Sequence, residues 1–164
     1  MRDVIGPLKQ ELAAFEDATR WLQTQGLRAK AGDEVAAKKF QAAANHYMEL
    51  MYGVASGVAL ARQAEAAAAR LQAGGLEEAE VLHYRGMIDT ARYYAHDVLK
   101  AERDMHMHKM KHNWRHLKIS DLGVADDRQT LFAKGAEAVT GAVIRMRDVY
   151  HDVTETIGNG LGGR

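Results

Sequence analysis

The 164-residue chain contains a single proline, Pro7, and this scarcity constrains its fold more than any other feature. Proline removes a backbone donor and interrupts helices, and it is common in turns. Long tracts of this sequence also lack any cluster of turn-forming residues, and they are rich in alanine. Because alanine has the highest helix propensity, these tracts favour long helices over strands. We therefore expect an all-α protein.

The spacing of apolar residues predicts the first two helices. The first is expected to begin near Pro7, which suits an initial helical turn, and to end at Gly26 before a loop. The second is expected to begin after an Asp33 cap and to continue to about Leu71. Steps of three and four define their buried faces. These faces comprise Leu8, Leu12, Phe15, Thr19 and Leu22 in the first helix, and Phe40, Ala44, Tyr47, Met51, Val54, Val58 and Ala61 in the second.

Two further helices are predicted after Gly74-Gly75. The third begins near Glu77 and meets no helix-breaking residue until about Ser120, with a stripe of Val81, Tyr84, Ile88, Ala91, Ala95 and Val98. Asp126 and Gln129 resemble a capping box that would begin a fourth helix. Short connections favour an antiparallel four-helix bundle with long second and third helices. This bundle would form one domain over residues 1–157, followed by a disordered tail over 158–164.

Composition excludes several classes of protein. The chain has no cysteine, which excludes disulfides, thiolate metal sites and a cysteine nucleophile. Lys and Arg together number 22, as do Asp and Glu, so no net charge attracts nucleic acid. No run of eighteen apolar residues exists to span a membrane, and the first residues lack the apolar segment of a signal peptide. We expect a cytoplasmic protein with no nucleic-acid partner.

A histidine-rich segment provides the one candidate metal site. His108, His112 and His116 follow one another at steps of four, which places them on one helix face. Two histidines one turn apart can chelate zinc, copper or nickel, but a firm site needs a third or fourth ligand. Because the ligand set is incomplete, the same pattern is more typical of a solvated polar face. The sequence thus leaves open a small metal-binding helical bundle as an alternative function.

Three short motifs carry a resemblance to a known family. Ala18-Thr19-Arg20-Trp21-Leu22 lies on the first predicted helix, Tyr47-x-x-Leu50-x-x-Gly53-x-x-x-Gly57-x-x-x-Ala61 on the second, and Thr90-Ala91-Arg92-Tyr93-Tyr94-Ala95 on the third. In this order they resemble the C-terminal helical extension domain of bacterial acyl-CoA dehydrogenases over about residues 8–99. The second glycine comes one residue earlier than in the family pattern, and the third helix continues past the family's usual end.

This resemblance implies a supporting role without catalysis. No residue matches the carboxylate base that removes the substrate's α proton, so the chain has no expected catalytic residue and no cofactor. FAD would enter only as part of a full-length acyl-CoA dehydrogenase. The expected partner is a catalytic acyl-CoA dehydrogenase region or another copy of the chain. The resemblance makes the following residues candidates for helix packing or a partner interface: Trp21, Tyr47, Gly53, Gly57, Arg92, Tyr93 and Tyr94. Aromatic residues at helical spacing are also typical of an ordinary core.

Overall fold

The computed structural model describes residues 2–116 and, beyond them, only positions 141 and 148. In this part of the chain all regular structure is helical, which confirms the all-α prediction. The elements are α1 (Arg2–Lys30), α2 (Glu34–Ala73), α3 (Glu78–Tyr93), a π-helical turn (Tyr94–Val98), α4 (Leu99–His112) and a 3-10 turn (Asn113–His116). From Glu78 to His116 they form one continuous third run. The predicted fourth helix and the predicted tail lie outside the described residues.

The predicted ends of the first helix were wrong. The helix begins at Arg2, so Pro7 lies inside it. Only the first turn precedes this proline, and that turn is held in place by the buried side chain of Val4. At the other end, the helix passes through Gly26 to Lys30, and Gly26 is buried and has no positive φ. The turn instead uses Gly32, whose φ of 95° is accessible mainly to glycine.

Helix α2 begins as the sequence predicted. The side chain of Asp33 accepts a hydrogen bond from the backbone N–H of Ala36, which satisfies one of the free donors of the first turn. The helix then continues for 40 residues and ends at Gly74, whose φ is positive. The predicted stripe was wrong at Ala44, which is exposed, while Ala43 is buried. Residues 42–44 are all alanine, so the spacing of apolar residues could not show which of them is buried.

Helices α1 and α2 pack antiparallel along most of their common length. Leu8 of α1 lies against Gly57, and Thr19 of α1 contacts Tyr47, so the order of contacts is reversed between the two helices. All five side chains of the predicted α1 stripe are buried, as expected. They form a common core with these buried residues of α2 and of the third run: Ala43, Tyr47, Leu50, Val54, Val58, Ala61, Ala64, Ala91, Ala95, Leu99 and Met110.

The π-helical turn keeps both halves of the third run in register with the core. Ala91, Ala95 and Leu99 are buried and follow one another at steps of four. On a regular α-helix, two such steps drift by roughly 80° around the axis. One wider turn takes up the extra residue, so all three side chains face inward. The predicted stripe ended on Val98, which is only half-buried, because a regular α-helix was assumed.

Candidate functional site

Gly57 lies at a close contact between the three helical runs. A Cβ atom at this position would lie 2.5 Å from Cδ2 of Leu8 and 3.1 Å from Cδ1 of Leu99. Gly53, one turn earlier, is less crowded, since its Cβ would lie 3.4 Å from Cδ2 of Leu99. Both glycines therefore face α4, and Gly57 also faces Leu8 of α1. The absence of a side chain at Gly57 allows both neighbours to reach the same point of α2.

Tyr47 is the polar centre of the contact between α1 and α2. Its ring stacks on Phe15 with centroids 5.1 Å apart, and its hydroxyl lies 3.1 Å from Oγ1 of Thr19. Thr19 donates its one hydroxyl hydrogen to the carbonyl of Phe15, so Tyr47 is the donor to Thr19. Burial raises the pKa of the Tyr47 hydroxyl above its ordinary value. Trp21 lies half-buried at the edge of this core.

Glu11 and Arg103 form an interior ion pair between α1 and α4. Oε1 of Glu11 accepts a 2.9 Å hydrogen bond from Nη1 of Arg103, and the two side chains are only 6% and 19% exposed. Burial raises the pKa of the Glu11 carboxyl to about 7, although the charge of Arg103 acts in the opposite direction. Arg103 also donates to Asp104 from Nε at 2.9 Å. This pair fixes the alignment of α1 with the third run.

The residues of the Thr90–Tyr94 segment lie in different environments. Arg92 is half-exposed and pairs with Asp3 of α1 at 2.7 Å and with Asp89 at 3.2 Å. The side chain of Tyr93 is 63% exposed. Tyr94 is half-buried, its hydroxyl lies within 3.5 Å of the carbonyl oxygen of Gly53, and burial raises its pKa. Thr90 bonds its own helix, at the carbonyl of Gly86. Within this segment, Arg92 and Tyr94 make polar contacts with another helix.

His46 of α2 and His106 of α4 meet between the two helices. Their Nδ1 atoms are 3.3 Å apart, and the amide of Asn113 lies 3.5 Å from Nε2 of His46. Both rings are half-buried. Burial, together with the positive charge that His106 and Lys109 can carry, lowers the pKa of His46, while Glu49 acts weakly in the other direction. His46 is therefore biased toward its neutral form, which retains a nitrogen lone pair.

The histidines that the sequence singled out lie on the outside of the same helical run. His108, His112 and His116 are all exposed, and the rings of His108 and His112 are tilted with centroids 4.7 Å apart. Met110, on the opposite face, is completely buried. Within residues 2–116 no three histidine or acidic side chains come together in a way that could hold a metal ion.

A row of uncharged residues follows the outer surface of α2. Ala44, Met48, Tyr52, Ala55 and Ala59 are all exposed and lie at steps of four, four, three and four, which places them on one face. We call this row the outer stripe. Tyr52 is 56% exposed. A separate open groove of 590 Å³ lies between α2 and α3, where Leu60, Leu82 and Met87 provide its apolar lining.

Sequence reasoning missed the two interhelical polar contacts, although a local signal existed for each. Glu11 lies three residues after Leu8 and four before Phe15, which places an acid on the buried face of α1. Arg103 follows the buried Leu99 by four residues in the same way. His46 directly precedes the core residue Tyr47. Their partners could not be predicted, since the contacting residues are 92 and 60 positions apart in the chain.

The described structure is that of a small all-α module whose interior polar groups connect one helix to another. A family model, acetyl-CoA dehydrogenase C-terminal like, matches residues 1–113. The chain belongs to this family. The match extends the resemblance seen in the three motifs through the histidine-rich segment of α4. No curated protein and no solved structure matches the chain. Among the described residues, no helix has the length and apolarity to cross a membrane.

Proposed function

We propose that this chain is a non-catalytic module that packs against the catalytic region of an acyl-CoA dehydrogenase. The outer stripe of α2 is the observation that carries the proposal. It presents five uncharged residues over four turns to solvent, while the opposite face of the same helix fills the core. Exposed apolar surface of this kind marks interaction sites. Membership of the acetyl-CoA dehydrogenase C-terminal like family supports the choice of partner.

The composition of the outer stripe favours another helix as the contacting element. Three of its members are alanines, which allow a neighbouring backbone to approach closely, and Tyr52 and Met48 add larger apolar contacts. The catalytic partner would supply the flavin pocket and the carboxylate base. FAD would therefore belong to the partner or to a full-length parent enzyme. A second copy of the chain and the proposed fourth helix of this chain are other occupants that this surface could accept.

The test combines a partner-binding measurement with two matched variants. Ala55→Arg places a charge in the middle of the outer stripe, and Ala101→Arg places one on an exposed position of α4. Binding of the tag-free chain to an acyl-CoA dehydrogenase catalytic region would be followed by sedimentation and by flavin absorbance of the complex. We expect binding that Ala55→Arg removes and Ala101→Arg retains. A chain that binds neither that region nor itself would contradict the proposal.

We also propose that the predicted fourth helix completes a four-helix bundle within a cytoplasmic protein. The support is sequence periodicity from Leu131 to Ile157, together with the absence of cysteine. Circular dichroism of the full chain and of a version ending at His116 would test the first part. A helical signal that does not increase with residues 117–157 would contradict it.

The alternative function, a metal-binding bundle based on His108, His112 and His116, has weaker support. These side chains are exposed, and the described residues add no third ligand to the His108–His112 pair. Zinc binding that is lost on substitution of His108 and His112 by alanine would favour this alternative.

A further inference from the structure

His46 and His106 form the most unusual cluster of metal-ligating atoms in the described part of the chain. They come from different helices and are 60 residues apart in sequence, yet their Nδ1 atoms are separated by only 3.3 Å. A pair of histidines one turn apart on one helix brings rings together through local geometry alone. In this case the packing of α2 against α4 creates the contact, so ligand binding would join two helices.

The separation of the two nitrogens matches the edge of a tetrahedral metal site. Two ligand atoms at about 2.0–2.1 Å from a zinc ion, with a tetrahedral angle between them, lie roughly 3.3 Å apart. The ring centroids, 5.5 Å apart, are also separated as expected for two imidazoles that converge on one ion at roughly this angle. The separation of the two Nδ1 atoms is therefore compatible with both rings binding one ion, once each ring turns its lone pair from the other nitrogen toward that ion.

Asn113 provides the second contact that a metal-binding histidine requires. Its side-chain amide lies 3.5 Å from Nε2 of His46, on the ring atom opposite Nδ1. Rotation of the amide exchanges its oxygen and nitrogen, and the oxygen can accept the Nε2–H hydrogen. That arrangement leaves the lone pair on Nδ1, facing His106. Ligating histidines are normally oriented in this way by a hydrogen bond at the other nitrogen.

The electrostatic surroundings act in both directions on such an ion. The desolvation that lowers the pKa of His46 favours its neutral form, whose lone pair can bind a metal ion. Glu49 favours positive charge at His46, whereas Lys109 opposes it. The described residues supply no third ligand here either, so water would fill the remaining coordination positions and binding should be weaker than at a four-ligand site. Borderline ions such as Zn²⁺, Ni²⁺ and Cu²⁺ prefer imidazole nitrogen.

We infer that His46 and His106 form a two-histidine site for a divalent transition metal that clamps α2 to α4. The site differs from the row of exposed histidines on the outside of α4. It also does not depend on the proposed partner. A bound ion would stabilise the folded chain, because it binds the native arrangement of two helices and has no such site in the unfolded chain.

Isothermal titration of Zn²⁺ into the tag-free full-length chain would test this site. The key variant is His46→Gln with His106→Gln, and the matched control is His108→Gln with His112→Gln, which removes the exposed pair. We expect one zinc ion per chain in the wild type and in the control. Affinity should fall at least about tenfold in the His46–His106 variant, and Asn113→Ala should weaken binding by a similar factor.

Thermal unfolding with and without Zn²⁺ distinguishes a clamp from loose surface binding. The midpoint should rise on zinc addition in the wild type and in the control, but not in the His46–His106 variant. Co²⁺ absorbance of the wild type, compared with that of the His108→Gln with His112→Gln control, gives a readout that does not depend on the folding of the His46–His106 variant, since histidine coordination alters the visible spectrum of the ion. Absence of binding at about 1 mM Zn²⁺ would overturn the inference. Binding retained by the His46–His106 variant would also overturn it.

Discussion

Glu11 and Arg103 are 92 residues apart in the chain, and a 2.9 Å hydrogen bond joins them in the interior of the molecule. Glu11 comes from the third turn of α1, and Arg103 from the second turn of α4. Both helices deliver a charged group to the same point next to apolar neighbours such as Leu99. The pair is thus a specific connection between α1 and the third run.

Arg103→Ala should destabilise the fold strongly. Removing one member of a buried ion pair leaves the other charge without compensation, at a cost of roughly 3–5 kcal/mol. The matched control is Arg20→Ala, which breaks an ion pair with Asp17 whose side chains are 68% and 65% exposed. That change should cost less than about 1 kcal/mol. Urea unfolding at pH 8, where Glu11 is ionised, measures both values. Equal losses in the free energy of unfolding for the two variants would show that the Glu11–Arg103 pair contributes no more stability than an exposed ion pair.

The stability of the chain should depend on pH through Glu11. Its pKa is about 7 in the folded state against an ordinary value of 4.5, so the folded chain holds a proton that the unfolded chain has released. The contribution of Glu11 to the free energy of unfolding is therefore fully present below pH 4.5, and it is lost as the pH rises through 7. The full change would be roughly 3 kcal/mol, since one pKa unit corresponds to about 1.4 kcal/mol.

Glu11→Gln isolates this dependence. His46 has a lowered pKa and acts with the opposite sign, because its contribution is lost as the pH falls below its ordinary value of 6.5. The histidine is present in both proteins, so the difference between wild type and Glu11→Gln removes its effect. Unfolding in urea between pH 4.5 and 8 should show this difference changing steadily in the direction given. A difference that stays constant with pH would mean that Glu11 keeps an ordinary pKa.

The glycines of the helices should respond to alanine in opposite ways. Gly57→Ala should destabilise the fold by about 1 kcal/mol, because crowding against Leu8 and Leu99 outweighs the gain in helix propensity. Gly86→Ala should stabilise by up to about 1 kcal/mol, since no atom lies within 4 Å of the new Cβ. Thermal unfolding of the two variants measures these changes. Stabilisation by Gly57→Ala would show that Leu8 can move aside at no cost.

Tyr47→Phe should cost about 1 kcal/mol, the usual net value of one hydrogen bond. Thr19 keeps its bond to the carbonyl of Phe15 in this variant, so no donor is left without an acceptor. Thr19→Val should cost more, because the Tyr47 hydroxyl then remains buried without its acceptor. The ring stack of Tyr47 on Phe15 is unchanged in both variants. Chemical denaturation of the two single variants and the double variant gives the coupling free energy between the Thr19 and Tyr47 side chains. Equal costs for the two single variants would contradict the assigned direction of the bond.

The sequence predicted the structure correctly where the spacing of residues along one helix was enough to determine it. All five α1 side chains from Leu8 to Leu22 were placed correctly by their spacing, and the Asp33 cap follows from local chemistry. Helix ends were harder to predict. Gly26 is a potential helix stop in the sequence, but a stop signal of this kind is decisive only where the residue is not buried. In the structure this glycine is buried within α1. Tertiary contacts therefore replaced the local preference for a turn.

The candidate sites were less predictable than the helices. His108, His112 and His116 attracted attention because they repeat along one face, yet that face is exposed. His46 and His106 form no repeat, and their meeting depends on the alignment of α2 with α4. That alignment depends in turn on the π-helical turn and on Gly57, whose roles emerge only when two helices are placed together. The interface role of the outer stripe and of Trp21, Arg92 and Tyr93 stays a prediction.

The π-helical turn also determines where this chain can change its length. Residues 91 to 99 complete two turns only because one turn is wide. Removing one residue from Tyr94–Val98 would leave an ordinary α-helix in which the present Leu99 still lies almost directly above Ala91. Removing Ala101 would instead rotate every later side chain by about 100° and separate His106 from His46. Thermal unfolding of the two deletions would reveal the difference. Related chains could gain or lose a residue at this turn and keep the same core.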